Sequence, residues 1–241
     1  MAKEKKAKPQ KSIIESEPLA LASADGAPLI TFPAEAIQHY RHMVTRLAHE
    51  TPLPARIAIA ATLPEEGVTH TALALGATLA HDWRARVCVV ELNWHRPGLH
   101  KLVPGLTSPG LAAVLDNQTR VEAALLNTSL DGLMVLPAGE MPFGKRTMIA
   151  RGAELKTVLE QLASQFDHLI LDIPAIKLTS DAIALASLGN AVLLVVRQGV
   201  TPSPDVQRAL DDVRHLQMLG VVMNRVRAQT PRLILDLIPQ E

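Results

Sequence analysis

From Arg56 onward, short aliphatic runs alternate with longer amphipathic stretches, and this alternation predicts strands separated by helices. Strands are predicted over 56–61, 86–90, 132–136, 168–171, 191–196 and 218–223. These runs are rich in Val, Ile, Leu and Ala and lack the polar alternation of a half-solvated sheet, which marks strands covered on both faces. Helices are predicted over 69–81, 111–115, 121–126, 153–165, 181–187 and 205–215. An earlier helix, from about 33 to 47, carries Tyr40, Met43, Val44 and Leu47 at helical spacing and ends before Pro52 and Pro54. Strands joined by helical crossovers imply an α/β fold with a mostly parallel central sheet flanked by helices on both faces. Ligands in such sheets sit beyond the carboxyl ends of the strands, so the residues after each strand carry the functional question.

Composition narrows the classes. With 241 residues, 48% of them hydrophobic, the chain can bury a sizeable core, and residues 31–241 read as a single domain. Its 24 basic and 24 acidic residues balance, so no general attraction to nucleic acid or membrane is expected. Cys88 is the one cysteine, so there is no internal disulfide framework; within Val87-Cys88-Val89-Val90 it reads as a buried strand thiol. No apolar stretch approaches the ~18 residues of a membrane span, and no apolar signal segment follows the charged N-terminus. Cytoplasmic residence is the resulting expectation. Residues 1–30 read as a basic, disordered tail. Its Lys3, Lys5, Lys6, Lys8 and Lys11 serve either as a solvated arm or as a weak contact to anionic lipid.

After the first strand comes Ala61-Thr62-Leu63-Pro64-Glu65-Glu66-Gly67-Val68-Thr69, followed by a helix. The position and length are those of a phosphate-binding loop, in which backbone N–H groups, a Lys and a Ser/Thr hydroxyl receive phosphate and Mg²⁺. Gly67 and Thr69 fit; Val68 stands where the Lys belongs. Glu65 and Glu66 place negative charge where a triphosphate would lie, each opposing it by about 1 kcal/mol or more at an effective dielectric of about 20. Taken alone, the segment reads more readily as an ordinary strand-to-helix turn.

The segments that follow, in order along the chain, decide otherwise. Glu91-Leu92-Asn93-Trp94-His95-Arg96-Pro97-Gly98-Leu99-His100-Lys101 resembles the Asp-x-Asp-x-Arg-Arg-Pro segment of the bacterial tyrosine kinases of capsule and exopolysaccharide systems. These are deviant-Walker P-loop ATPases. Leu136-Pro137-Ala138-Gly139, Phe166-Asp167-His168-Leu169-Ile170-Leu171-Asp172-Ile173-Pro174, Thr179-Ser180-Asp181, Arg197-Gln198-Gly199 and Val222-Met223-Asn224-Arg225 are similar to later motifs of the same family. The resemblance spans about residues 33–226 and implies a P-loop NTPase-like fold. It also implies nucleotide-binding places at Gly67, Val68, Thr69 and Asn224, magnesium-side places at Thr69 and Asp172, and catalytic places at Glu91, Asn93 and Asp172.

The departures from the family fall on the chemistry. Besides the missing Lys, Glu91 and Asn93 replace both Asp residues, His95 replaces the first Arg, and the chain ends without the family's tyrosine cluster. Phosphoryl transfer depends on positioning and on neutralising phosphate charge. The sites are therefore expected to be vestigial, with no catalysis, no metal and no cofactor. The family's subunit-contact motif maps to Gln38, Arg41 and Val44, keeping only the middle Arg, so ring assembly through it is in doubt and packing of the helix on its own domain is equally open. Trp94 could plug the nucleotide pocket, anchor a partner or pack in the core. By resemblance, the expected role is a pseudokinase-like regulator or scaffold docked on a membrane-embedded chain-length (co-polymerase) protein, with homo-oligomers possible and no nucleic acid. The alternative is a residual enzyme using ATP and Mg²⁺, with Arg96 or Arg197 replacing the Lys.

Overall fold

The structure, a computed structural model, describes residues 18–23, 26, 28–102 and 108–226. Lys3, Lys5, Lys6, Lys8 and Lys11 and residues 227–241 lie outside these.

The described residues begin with a feature that the tail reading missed. Strands β1 (Leu19–Ala22) and β2 (Pro28–Phe32) form an antiparallel hairpin, pairing Leu19 with Phe32 and Leu21 with Ile30. The boundary at residue 30 is therefore too late. The signal was present: Asp25-Gly26 between aliphatic runs is a strong short-range hairpin mark, and Gly26 takes a φ of 86°. Leu21 and Phe32 are buried with Ile37, Tyr40 and Val44 of α1 (Ala34–Glu50).

The predicted αβ alternation follows. After β3 (Arg56–Ala61) and α2 (Val68–Trp83) come β4 (Val87–Glu91), α3 (Leu99–Leu102), α4 (Gly110–Leu115), α5 (Val121–Ala124) and the short β5 (Leu126–Asn127). Then follow β6 (Leu133–Leu136), α6 (Phe143–Arg151), α7 (Ala153–Ala163), β7 (His168–Asp172), α8 (Asp181–Ala186), β8 (Ala191–Arg197), α9 (Ser203–Asp212) and β9 (Gln217–Asn224). One seven-stranded sheet has the order β5-β6-β4-β7-β3-β8-β9, with β5 alone antiparallel. The helix expected over 121–126 stops at Ala124, and its last residues turn into β5 at the sheet edge.

β3 lies inside the sheet between β7 and β8, buried on both faces, as its unalternated Ile/Ala run requires. Ile57 and Ile59 point to one core with α1, α2 and the hairpin, whereas Ala58 and Ala60 point to the other, with α4, α7, α8 and Trp94. Cys88 is buried in β4, and burial pushes its thiol up. No helix among the described residues is long and apolar enough to cross a membrane.

Candidate functional site

The carboxyl ends of β3, β4 and β7 converge, and the loops after them line an open cleft of about 360 Å³. The β3–α2 loop supplies Glu65, Gly67, Val68 and Thr69; the segment after β4 supplies Asn93 and Arg96; Arg225 follows β9. Glu65 (φ 65°) and Gly67 (φ 103°) have left-handed backbone, giving the loop the curl of an anion-binding nest. A Cβ at Gly67 would overlap the amide of Asn224, so glycine is required there on two counts.

Glu66 does not do what its sequence position suggested. Its side chain is buried, and its Oε2 accepts hydrogen bonds from the N–H groups of Thr62 and Leu63, both at 2.9 Å. The Thr201 hydroxyl donates to Oε1. Glu66 thus braces the loop from behind, because a carboxylate three to four residues downstream reaches the first N–H groups of a tight turn. Of the two glutamates only Glu65 lines the cleft, and Arg96 Nη1 pairs with it at 3.2 Å. Asn224, assigned by resemblance to the nucleotide, donates from Nδ2 to the Glu66 carbonyl at 2.8 Å and so ties β9 to the same loop.

Glu91 and Asp172 face one another across paired strands, yet their surroundings are opposite. Glu91 Oε1 accepts from Gly98 N at 2.5 Å and Leu99 N at 2.9 Å, and Oε2 accepts from Ala138 N at 3.0 Å. The added methylene carries this carboxylate into the backbone of the next two segments. Asp172 is also fully buried, but neither of its oxygens accepts a hydrogen bond among the described residues. Burial first, and then the charge of Glu91, raise its pKa well above the ordinary carboxylate range; the nearby Thr69 hydroxyl pulls weakly the other way.

The remaining assigned residues serve the local structure. Asn93 Oδ1 accepts from Arg96 N at 3.1 Å, closing the turn after β4. Trp94 is 4% exposed and donates from Nε1 to the Ala138 carbonyl at 2.9 Å. It neither plugs the cleft nor offers a partner anchor; packing is the reading that holds. Arg41 makes a two-pronged bond to Asp82 of α2, Nε–Oδ2 at 2.6 Å and Nη2–Oδ1 at 3.1 Å, so its guanidinium serves its own domain. Gln38 is half-buried on α1. Arg197 closes a turn with Thr201 and is not among the cleft-lining residues, unlike Arg96. His95, in the family's first Arg place, lies 3.7 Å from Asp181 Oδ2 and 3.5 Å from Arg146 Nη1.

The retained groups bear unequally on magnesium and nucleotide. Thr69 and the orphaned Asp172 have the donor chemistry of a magnesium side. Val68 stands in the family's Lys place, while Arg96, Lys101 and Arg225 line the cleft, and the second carboxylate is held by backbone donors.

A mostly parallel sheet with a phosphate-type loop after an interior strand, β3, defines a P-loop NTPase-like domain, and known proteins agree. The chain's homologues are bacterial tyrosine kinases. It is 28% identical over 192 residues to the tyrosine-protein kinase ptk of Acinetobacter johnsonii, covering 78% of this chain and 25% of that protein. It is 28% identical over 173 residues to the succinoglycan biosynthesis transport protein ExoP of Rhizobium meliloti, covering 70% and 22%. With the tyrosine-protein kinase CpsD of Streptococcus agalactiae it shares 28% over 122 residues, covering 50% and 53%. The chain thus spans from about a quarter to about half the length of these relatives. Among solved structures, the chimerical protein CapA2B2 matches with a TM-score of 0.72 at 20% identity, covering 80% of this chain and 84% of that one. The kinase domain of Escherichia coli ETK matches at 0.71 and 20%, covering 80% and 78%. The cell division ATPase MinD of Pyrococcus furiosus matches at 0.60 and 26%, covering 77% and 81%. No family model matches the chain.

Proposed function

We propose that this chain is a non-catalytic, pseudokinase-like regulator or scaffold in bacterial exopolysaccharide or capsule synthesis and export. It docks at the cytoplasmic side of a membrane-embedded chain-length protein and uses neither nucleotide nor metal. The observation that carries the reading is Glu91. The carboxylate in the catalytic place accepts three backbone N–H bonds and holds residues 98–99 and 138 together, so it is spent on structure. Among the described residues neither Glu91 nor its strand neighbour Asp172 lines the cleft, and Val68 stands in the Lys place, which departs from the arrangement by which a kinase gathers phosphate charge. The pathway rests on the similarity to ExoP and to the tyrosine kinases.

Titration calorimetry with ATP–Mg²⁺ tests the site: no heat of binding is expected, and micromolar affinity would overturn the reading. Deletion of the gene tests the pathway: altered amount or chain length of the exported polymer is expected, and unchanged polymer would sink that assignment.

A second reading draws on Thr69, Asp172 and the cleft-lining Arg96, which together could sustain weak ATP turnover. It predicts slow phosphate release that Asp172→Ala abolishes. A parent protein releasing no phosphate ends it.

A further inference from the structure

The cleft after β3 adjoins a second groove, of about 550 Å³, between α1 and β9, and His70 and Arg225 stand on the wall of both. Apolar side chains flank that junction. Leu63, Pro64, Val68, Ile173, Ala175 and Leu178 line the cleft; Tyr40, Met43, Val222, Met223 and Val226 line the groove. Leu178, Met223 and Val226 are 37%, 56% and 56% exposed. Exposed apolar side chains gathered along a trough mark a surface that another molecule covers.

The charge along the trough points to an anionic occupant. Its walls carry Arg96, Lys101 and Arg225 against Glu65 and Glu35. Arg96 pairs with Glu65, whereas Lys101 and Arg225 form no ion pair among the described residues. Burial first, and then the charge of Arg225, lower the pKa of His70, so its imidazole is neutral at neutral pH and Arg225 holds the positive charge at the junction. A guanidinium takes a carboxylate through two parallel N–H bonds, and apolar neighbours that exclude water strengthen the pair.

We propose that this trough docks an extended peptide segment of a partner protein, with a carboxylate side chain at Arg225 and aliphatic side chains in the cleft and in the groove on either side. A compact polyanion needs cations clustered on its phosphates and would leave the α1–β9 groove unfilled. A chain with an acidic residue between aliphatic ones meets both lobes and the charge between them, apolar contacts giving affinity and the ion pair giving register. This deepens the scaffold reading and rests on it, because the place a nucleotide would take is then free for the partner.

The probe is the acetylated, amidated peptide Ser-Val-Leu-Glu-Leu-Val-Ser, titrated into the isotope-labelled full chain and followed by NMR. Saturable amide shifts are expected at Val68 and Leu178 in the cleft and at Val222 and Met223 in the groove, with Leu126 and Asn127 unmoved. Gln in place of the peptide's Glu should weaken binding about tenfold, the worth of one charge-assisted contact. In Arg225→Gln, at an exposed position, the two peptides should bind equally. The proposal is overturned by no saturable shift at millimolar peptide, by shifts confined to one lobe, or by a preference for Glu that survives in Arg225→Gln. If that variant disturbs the spectrum beyond β9, the Glu-against-Gln comparison on the parent decides alone. Nucleotide binding is read in the separate calorimetric titration, so failure here and failure of the nucleotide-free reading are told apart.

Discussion

Glu91 and Asp172 end neighbouring strands in register, both fully buried, and differ in what surrounds them. Three backbone N–H groups converge on Glu91; Asp172 accepts no hydrogen bond among the described residues. The difference separates structural retention from chemical retention. A buried carboxylate with a full set of donors repays its desolvation and stabilises the fold, while one without them costs free energy unless it keeps a proton. One carboxylate at this cleft has become part of the scaffold, and the other remains as a liability.

Removing the satisfied carboxylate should have the largest effect. Glu91→Ala strands three donors, two of them buried and each of those worth about 1–3 kcal/mol when left unpaired, so the loss should be roughly 2 kcal/mol or more. Urea denaturation would show it. A variant as stable as the parent would mean that residues 98–99 and 138 do not depend on this side chain.

The unsatisfied partner should respond in the opposite direction. Because the folded state raises the Asp172 pKa, the native protein holds a proton that the unfolded chain has already released. Stability from this group is therefore intact below the ordinary Asp range and falls as pH rises from there toward the raised native value. Asp172→Asn removes both the trend and the repulsion from Glu91. Its melting temperature should exceed the parent's at pH 8, with a smaller gain at pH 5. A melting temperature lowered equally at both pH values would show that Asp172 has a stabilising partner.

How much of this was legible beforehand depended on whether the signal was local. Runs such as 191–196 and 57–61 declare themselves as strands because burial on both faces leaves no polar positions between their terminal arginines and their other ends. The hairpin escaped because composition outweighed its Asp25-Gly26 turn. Val68 and Asn93 could be read as losses from residue type alone. The fate of Glu66 could not, since its acceptors' partners, Thr62 and Leu63, lie close in sequence but Thr201 lies far away. Trp94 was ambiguous for the same reason: the Ala138 carbonyl that fixes it comes from the segment after β6, more than forty residues on.

Smaller effects should mark the braces around the two carboxylates. Thr201→Val removes the hydroxyl bonded to Glu66 and should cost about 1 kcal/mol, chiefly by loosening the β3–α2 loop. Trp94→Phe keeps most of the ring and loses only the bond to Ala138, again about 1 kcal/mol or less. Hydrogen exchange at Thr62 and Leu63 distinguishes the two, rising in the first variant and holding in the second.

The smallest expected change is in activity when the lysine is put back. Val68→Lys sets a cation at the start of α2, beside the Thr69 and Asp172 side of the cleft. That charge favours the ionised form of Asp172, so the stability trend between pH 5 and pH 8 should flatten. Glu91 is unaffected, because its acceptors are held by backbone donors that no side-chain change at position 68 supplies or removes. Asn93 still lacks an ionisable oxygen, and the chain still has no tyrosine after Tyr40. Autophosphorylation assayed with radiolabelled ATP should stay at background even as the pH trend changes. Strong phosphorylation in this single variant would show that Glu91 can leave its three donors during turnover, and the division between the two carboxylates would collapse.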